Sequence, residues 1–267
     1  MDYDLFCKII DKVKFFSPRI QLYKWGESLL HPRIADMFEY CNMYDLCTEL
    51  SSNLSLRNID DKLEAMVKYR LRHLIVSFDG ITQEDYSRYR VGGDLNTVIR
   101  NMQYIQEMKR KYNSPYPKIS LQFLKNKFTK NQIQIIEKKY LQWGADDYFV
   151  DDMTVIFKDR NKEYFQDWFE DKDINERRFL DVGPDMLGKI CPFLYNIMTI
   201  EQDGSIPACC FCTDPKDDYS RFDDSKSIQQ MFNSEKFISA RKMFKKKKNL
   251  ENCTCSDCSL FLAWCNR

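Results

Sequence analysis

Histidine is almost missing from this 267-residue chain, with only His31 and His73 present. No histidine pair is therefore at hand for acid–base chemistry. His31, in the turn Leu29-Leu30-His31-Pro32, reads as a cap for the helix that Pro32 opens. His73 starts a strand candidate and reads as structural. Charge excess is also missing: the formal net charge is +1, which gives no reason to expect a nucleic-acid partner. The one basic run, Lys245 to Lys248, reads as the solvated end of a helix. No apolar run is long enough for a membrane span. The opening MDYDLFCKII places Asp2 and Asp4 where a signal peptide needs basic residues. Neither membrane nor nucleic acid is expected as a partner, and a cytoplasmic location is.

What the chain does have is core-forming material and thiols. Hydrophobic residues make up 43% and aromatics 14%, enough to build a core and to exclude general disorder. The length suits one large domain plus a small appendage. Eleven cysteines would suit a disulfide scaffold only in a short secreted chain. In a reducing compartment they read as metal-bound thiolates.

From the start to about residue 150, helical and strand-like segments alternate. Helical spacing appears at Leu5, Ile9, Ile10 and Val13, at Ile34, Met37, Phe38 and Cys41, and at Leu63, Met66 and Val67. The clearest helix shows Leu95, Val98, Ile99, Met102, Ile105 and Met108 on one face. Another runs from a Thr129 cap through Ile133, Ile136 and Tyr140 to a stop at Gly144. Strand candidates lie at 19–24, 45–50, 73–78, 118–124 and 146–151. Strands separated by single helices predict a parallel sheet, either a barrel or an open α/β layer. Chemistry in such folds gathers at the C-terminal strand ends. Those ends are Trp25-Gly26-Glu27-Ser28, Ser51-Ser52-Asn53, Asp79-Gly80 and Lys125-Asn126. The chain opens on a helix with no strand before it. Residues 153–190 are acidic and aromatic and read as a connector.

From 191 the pattern changes. Cys191 is followed by twelve residues, then Gly204, then four residues and Cys209. Asp203-Gly204 reads as the turn of a hairpin over 197–209. A helix around 227–247 leads to a tail holding Cys253, Cys255, Cys258 and Cys265. A hairpin with Cys191 and Cys209, plus the C-x2-C turn Cys255/Cys258, completes a four-thiolate set. That set suits an iron–sulfur cluster or zinc. Cys210, Cys212, Cys253 and Cys265 are spare to it, and any of them could substitute or ligate a second ion. Cys7, Cys41 and Cys47 read as ordinary buried small residues.

These strings resemble those of the radical SAM enzymes that carry a C-terminal SPASM domain with an auxiliary [4Fe–4S] cluster. CPFLYNIMTIEQDGSIPACC is similar to that family's CP…DG…CC run. SIQQMFNSEKFISARKMF is similar to the helix that follows it, and Cys255-x2-Cys258 to the closing ligand pair. Upstream, YKWGESLLHPRI resembles the GGEPLLHP motif, LSSNLSL the S-T-N-G-T-L turn, and SFDGITQEDYSRYRVGGDLNTVIRNM the S-x-DG…GG segment. The resemblance extends over essentially the whole chain. It implies an α/β fold: an incomplete parallel (β/α) barrel of the radical SAM type, residues 1–152, and the connector 153–190. A small cysteine-rich SPASM-like domain with a β-hairpin and helix follows, residues 191–267. It implies an auxiliary [4Fe–4S] cluster on Cys191, Cys209, Cys255 and Cys258. It also implies S-adenosyl-L-methionine near Gly26, Glu27, Ser28, Ser51, Asn53, Ser77 and Asp79. Ser28 stands where the family has proline, which loosens that turn.

One motif of that family is absent. Its members hold the radical-generating cluster on C-x3-C-x2-C after the first strand, leaving one iron open to the cofactor. No such triplet occurs in these 267 residues. The resemblance therefore implies a lineage that cleaves S-adenosylmethionine to modify a peptide or small metabolite, with an electron donor protein as a further partner. This chain itself is expected to be truncated and inactive alone. The alternative from another class is a non-enzymatic module, iron–sulfur or zinc, that binds a peptide or protein.

Overall fold

The computed structural model describes residues 1–153, 167–169, 191–212, 214–246, 254–258 and 261. Most of the expected connector, together with Cys253 and Cys265, lies outside the described residues. By contact density the chain divides into two units. One is built around Lys14–Met153. The other joins Met1–Val13 to the described residues from Cys191 onward.

The larger unit carries five parallel strands: β1 (Arg19–Gln21), β2 (Cys47–Ser52), β3 (His73–Ser77), β4 (Lys118–Lys125) and β5 (Asp147–Asp152). Their spatial order is their chain order. A doubly wound sheet reverses its order part-way, whereas a barrel does not. The unreversed order is thus barrel winding, left unclosed at β1 and β5 among the described residues. Helices α2 (Ile34–Met43), α3 (Asp60–Lys68), α4 (Gln83–Tyr89), α5 (Leu95–Lys111) and α6 (Ile133–Lys139) fill the crossovers.

Strand alternation gives the sheet two chemically different faces. On one, Leu50, Leu74, Val76, Ile119, Leu121 and Phe123 are fully buried. Each such side chain contributes about 1.5–3 kcal/mol of burial free energy. Leu63, Met66, Val98, Met102 and Ile105 complete this core from α3 and α5. The other face also carries Ile75 and Phe149 but is mostly polar and laced sideways across the strands. Arg19 and Gln21 reach Glu49 at 2.7 and 3.2 Å. His73 Nε2 meets Ser120 Oγ at 2.7 Å, and Gln122 donates to Asp151 at 2.6 Å.

Local signals explain most boundaries. Asp94 caps α5 by accepting from the Asn96 and Thr97 N–H groups, and Lys109, Arg110 and Lys111 sit at its carbonyl end. β2 begins at Cys47 rather than at 45 because Asp45 adopts a left-handed φ of 50° that no strand accommodates. β1 is three residues long, half the expected span. Helix α4 has a clear start, with Thr82 capping Asp85 N–H.

In the second unit, α1 (Tyr3–Val13) buries Phe6, Ile9 and Ile10. Its Lys12 donates to the Asp224 carbonyl at 2.6 Å. The short α7 (Pro192–Tyr195) follows Cys191. The expected hairpin is redrawn: Asp203-Gly204 does turn the chain, with Glu201 N–H bonding to the Ser205 carbonyl at 2.8 Å. However, β6 (Ser205–Pro207) pairs antiparallel with the later β7 (Asp218–Arg221), not with residues before the turn. Pro207 has no N–H to give a ladder, and the register breaks between Ile206 and Pro207. The helix expected over 227–247 splits into α8 (Ile228–Phe232) and α9 (Glu235–Lys246). Ser227 and Gln230 form a capping box for α8. Ser234, at the break, donates its Oγ to the Tyr219 carbonyl at 2.6 Å.

Burial opposes ionisation of Glu49, but hydrogen bonds from Arg19 and Gln21 outweigh it and hold the carboxyl below its ordinary 4.5. A depressed carboxyl stabilises the fold above its unfolded value and loses that contribution as pH falls through the folded one. Glu49→Gln is accordingly expected to flatten the fall in urea stability on acidification below about pH 4.5. An unchanged acid limb in the variant would contradict the pairing.

Candidate metal centre and strand-end site

At the C-terminal strand ends, Gly26 has φ 82° and open space where a Cβ would stand, so the turn after β1 favours glycine. Glu27 follows, and its carboxylate is a three-way tie. One oxygen accepts the Leu29 N–H at 3.0 Å. The other accepts Ser52 Oγ at 2.9 Å and the Asn53 N–H at 3.2 Å. Ser28 turns its hydroxyl onto the Leu22 carbonyl at 2.6 Å, replacing the rigidity that a proline would give. Asn53 accepts the Ser55 N–H at 2.8 Å.

After β3, Asp79 is buried and pairs with Arg90. Burial lifts its carboxyl above the ordinary range while the guanidinium pulls the other way. Gly80 is obligatory for a different reason: a Cβ there would stand 2.5 Å from the Tyr86 nitrogen. Tyr86 is fully buried, donates to the Asn53 carbonyl at 3.4 Å, and has its hydroxyl pushed up to about 12 by burial. Glu27 thus joins the loop after β1 to the end of β2 at Asn53, Ser28 bonds within its own loop, Asp79 pairs with Arg90 after β3, and Ser51 and Ser77 lie on the opposite strand face from the core. Arg90 is the member that sequence reasoning did not single out, and Ser52, named there only as part of the Ser51-Ser52-Asn53 strand end, is the serine that meets Glu27.

The thiols gather in the other unit. Cys191 and Cys212 are buried against a core that includes Leu194, Ile206, Tyr219 and Phe237, and Cys209, Cys255 and Cys258 pack on it. Two turns share one geometry. Cys212 N–H bonds to the Cys209 carbonyl, and Cys258 N–H to the Cys255 carbonyl, each at 3.2 Å. Cys209 Sγ and Cys212 Sγ lie 3.8 Å apart. Tyr219 Oη is 3.3 Å from Cys255 Sγ. No disulfide joins the described cysteines.

Burial pushes the Cys191 thiol up, and the charge of Cys258 adds to it. Cys212 hydrogen-bonds to Cys209, which lowers Cys209 against its burial and raises Cys212. Cys258 therefore lies within electrostatic reach of both Cys191 and Cys209. Among the described residues, no three Cys, His, Asp or Glu side chains yet converge on one point closely enough to bind a metal ion.

A family model for the SPASM iron–sulfur cluster-binding domain matches residues 191–259. These residues are similar to a SPASM domain. The solved structure of native anSMEcpe with bound AdoMet is 14% identical, with a TM-score of 0.57. The match covers 98% of this chain and 78% of that one. Streptococcus suis SuiB bound to S-adenosylmethionine is 14% identical, with a TM-score of 0.61, over 98% of this chain and 64% of that one. SuiB has also been solved with its precursor peptide SuiA, at 13% identity and a TM-score of 0.59. The fold thus resembles that of anSMEcpe and SuiB, with an unclosed parallel (β/α) barrel and, after it in sequence, the residues that match the SPASM model. No curated protein sequence matches. Among the described residues, no helix is long and apolar enough to cross a membrane. The donor set fits an iron–sulfur cluster: all are sulfur, partly or fully buried, and backed by apolar side chains.

The Glu27 tie yields a direct test. Ser52→Ala removes one donor from a shared carboxylate and is expected to cost about 1–2 kcal/mol in urea denaturation. Ser51→Ala, one residue away on the opposite face, is expected to stay within about 0.5 kcal/mol.

Proposed function

We propose that this protein holds a [4Fe–4S] cluster on Cys191, Cys209, Cys255 and Cys258 and serves a radical S-adenosylmethionine reaction on a peptide. The observation that carries this is the SPASM match, which contains all four thiols, two of them in one C-x2-C turn. Peptide is favoured over a small metabolite because anSMEcpe and SuiB have each been solved with a bound peptide. The polar sheet face supports the same reading. Its side-chain amides and hydroxyls suit a peptide backbone, which offers one donor and one acceptor per residue.

S-adenosylmethionine, when bound and reductively cleaved, would supply the radical chemistry for hydrogen-atom removal from the substrate. This chain's residues bind and orient. Gly26 presents an uncrowded main chain, Glu27 offers a fixed carboxylate to the cofactor's ammonium, and Ser51, Asn53 and Ser77 offer polar groups beside it. Asp79 sets the next loop through Arg90. Electrons come from a donor protein, in a reducing cytoplasm where thiolates persist. The radical-generating cluster needs the C-x3-C-x2-C set, which these 267 residues do not contain. This chain by itself therefore binds and does not initiate.

Anaerobic reconstitution decides the matter. The chain is expected to take up iron together with labile sulfide, and Cys258→Ala to lose both. Zinc without sulfide would instead indicate a binding module. With reductant and S-adenosylmethionine, the 267-residue chain is expected to release no 5′-deoxyadenosine. Its appearance would overturn the claim that this chain does not initiate.

A further inference from the structure

Cys212 belongs to none of the ligand positions assigned above, yet its sulfur is 3.8 Å from that of Cys209. That distance is informative. Around a single tetrahedral ion with metal–sulfur bonds of about 2.3 Å, neighbouring sulfurs sit about 3.8 Å apart. In a four-iron cluster each cysteine caps a different iron, and the caps point outward from separate corners. Two such sulfurs lie much farther apart than this pair. With the Cys209–Cys212 turn as folded, only one of the two can cap the cluster.

Of the two, Cys209 is the one in the proposed ligand set. Cys209 is within electrostatic reach of Cys258, a member of the second C-x2-C turn. Cys209 and Asp217 both bear on Cys212, and the Asp217 carboxylate accepts from Thr254 Oγ1 at 2.7 Å. Cys212 is also the more buried, at 8% exposure. It is fixed in place by its N–H bond to the Cys209 carbonyl.

We infer that Cys212 is a positioning residue for the cluster, donating its S–H to the sulfur of the ligand Cys209. A hydrogen bond to a ligating sulfur withdraws electron density from it and favours the more negative, reduced cluster. The pair therefore raises the cluster's reduction potential without adding a ligand. This inference rests on the iron–sulfur reading given above.

The test compares the full chain with Cys212→Ala, Cys212→Ser and Cys209→Ala after anaerobic reconstitution. Circular dichroism checks that each is folded. Both Cys212 variants are expected to keep the parental iron and sulfide content, whereas Cys209→Ala loses it. Redox titration is expected to find the midpoint of Cys212→Ala shifted to more negative potential. Cys212→Ser, whose O–H still donates, is expected to shift less. Loss of iron and sulfide from both Cys212 variants would make Cys212 a ligand and overturn the inference. So would an unchanged midpoint. Failure of the parent chain to assemble any cluster would instead sink the iron–sulfur reading itself, and this inference with it.

Discussion

The larger unit depends on a single constraint, the in-register parallel pairing of strands whose order never reverses. Crossovers of one hand then place every helix on the same side. Leu74 and Val76 must face that side, which fixes His73, Ile75 and Ser77 on the other. A one-residue slip in β3 would put His73 into the apolar layer and Leu74 among Glu49 and Ser120. Function and stability are thereby separated by strand parity. Odd positions of β3 are available for polar contacts because even positions hold the core.

A different constraint shapes the thiol-bearing unit. Its thiols lie against aromatic and aliphatic side chains, where an unpaired thiolate is costly. Each sulfur must therefore keep its proton, receive a hydrogen bond or bind metal. Tyr219 organises this wall. Its ring meets Phe237 edge-on at 5.1 Å, its carbonyl accepts Ser234 at the head of α9, and its hydroxyl reaches Cys255. One residue of β7 thus couples the strand pair, the helix and the Cys255–Cys258 turn.

Much of this was legible in the sequence, and the failures have physical causes. The face of α5 was readable because its period extends over a long helix with Asp94 before it and three basic residues at its end. The five strands were readable as runs, but β1 and β2 were misplaced at their ends. A single left-handed residue, Asp45, decides where β2 starts, and periodicity carries no φ. The Asp203-Gly204 turn was correctly seen, but its pairing was not. A turn signal says where a chain reverses; it does not say which later segment, here Asp218–Arg221, supplies the partner.

The strand-end loop shows why a structural role and a binding role need not compete. Glu27 accepts three hydrogen bonds, while an ionised carboxylate offers about four acceptor sites. The three bonds fix its orientation and leave acceptor capacity for a cation. A carboxylate held this way loses little freedom on meeting a ligand, so less binding energy is spent on ordering it. The same interactions that tie β1 to β2 would thus pre-organise the group that meets an ammonium ion. Ser28 fits this logic. Its hydroxyl on the Leu22 carbonyl secures by a hydrogen bond a turn that proline would secure by its ring.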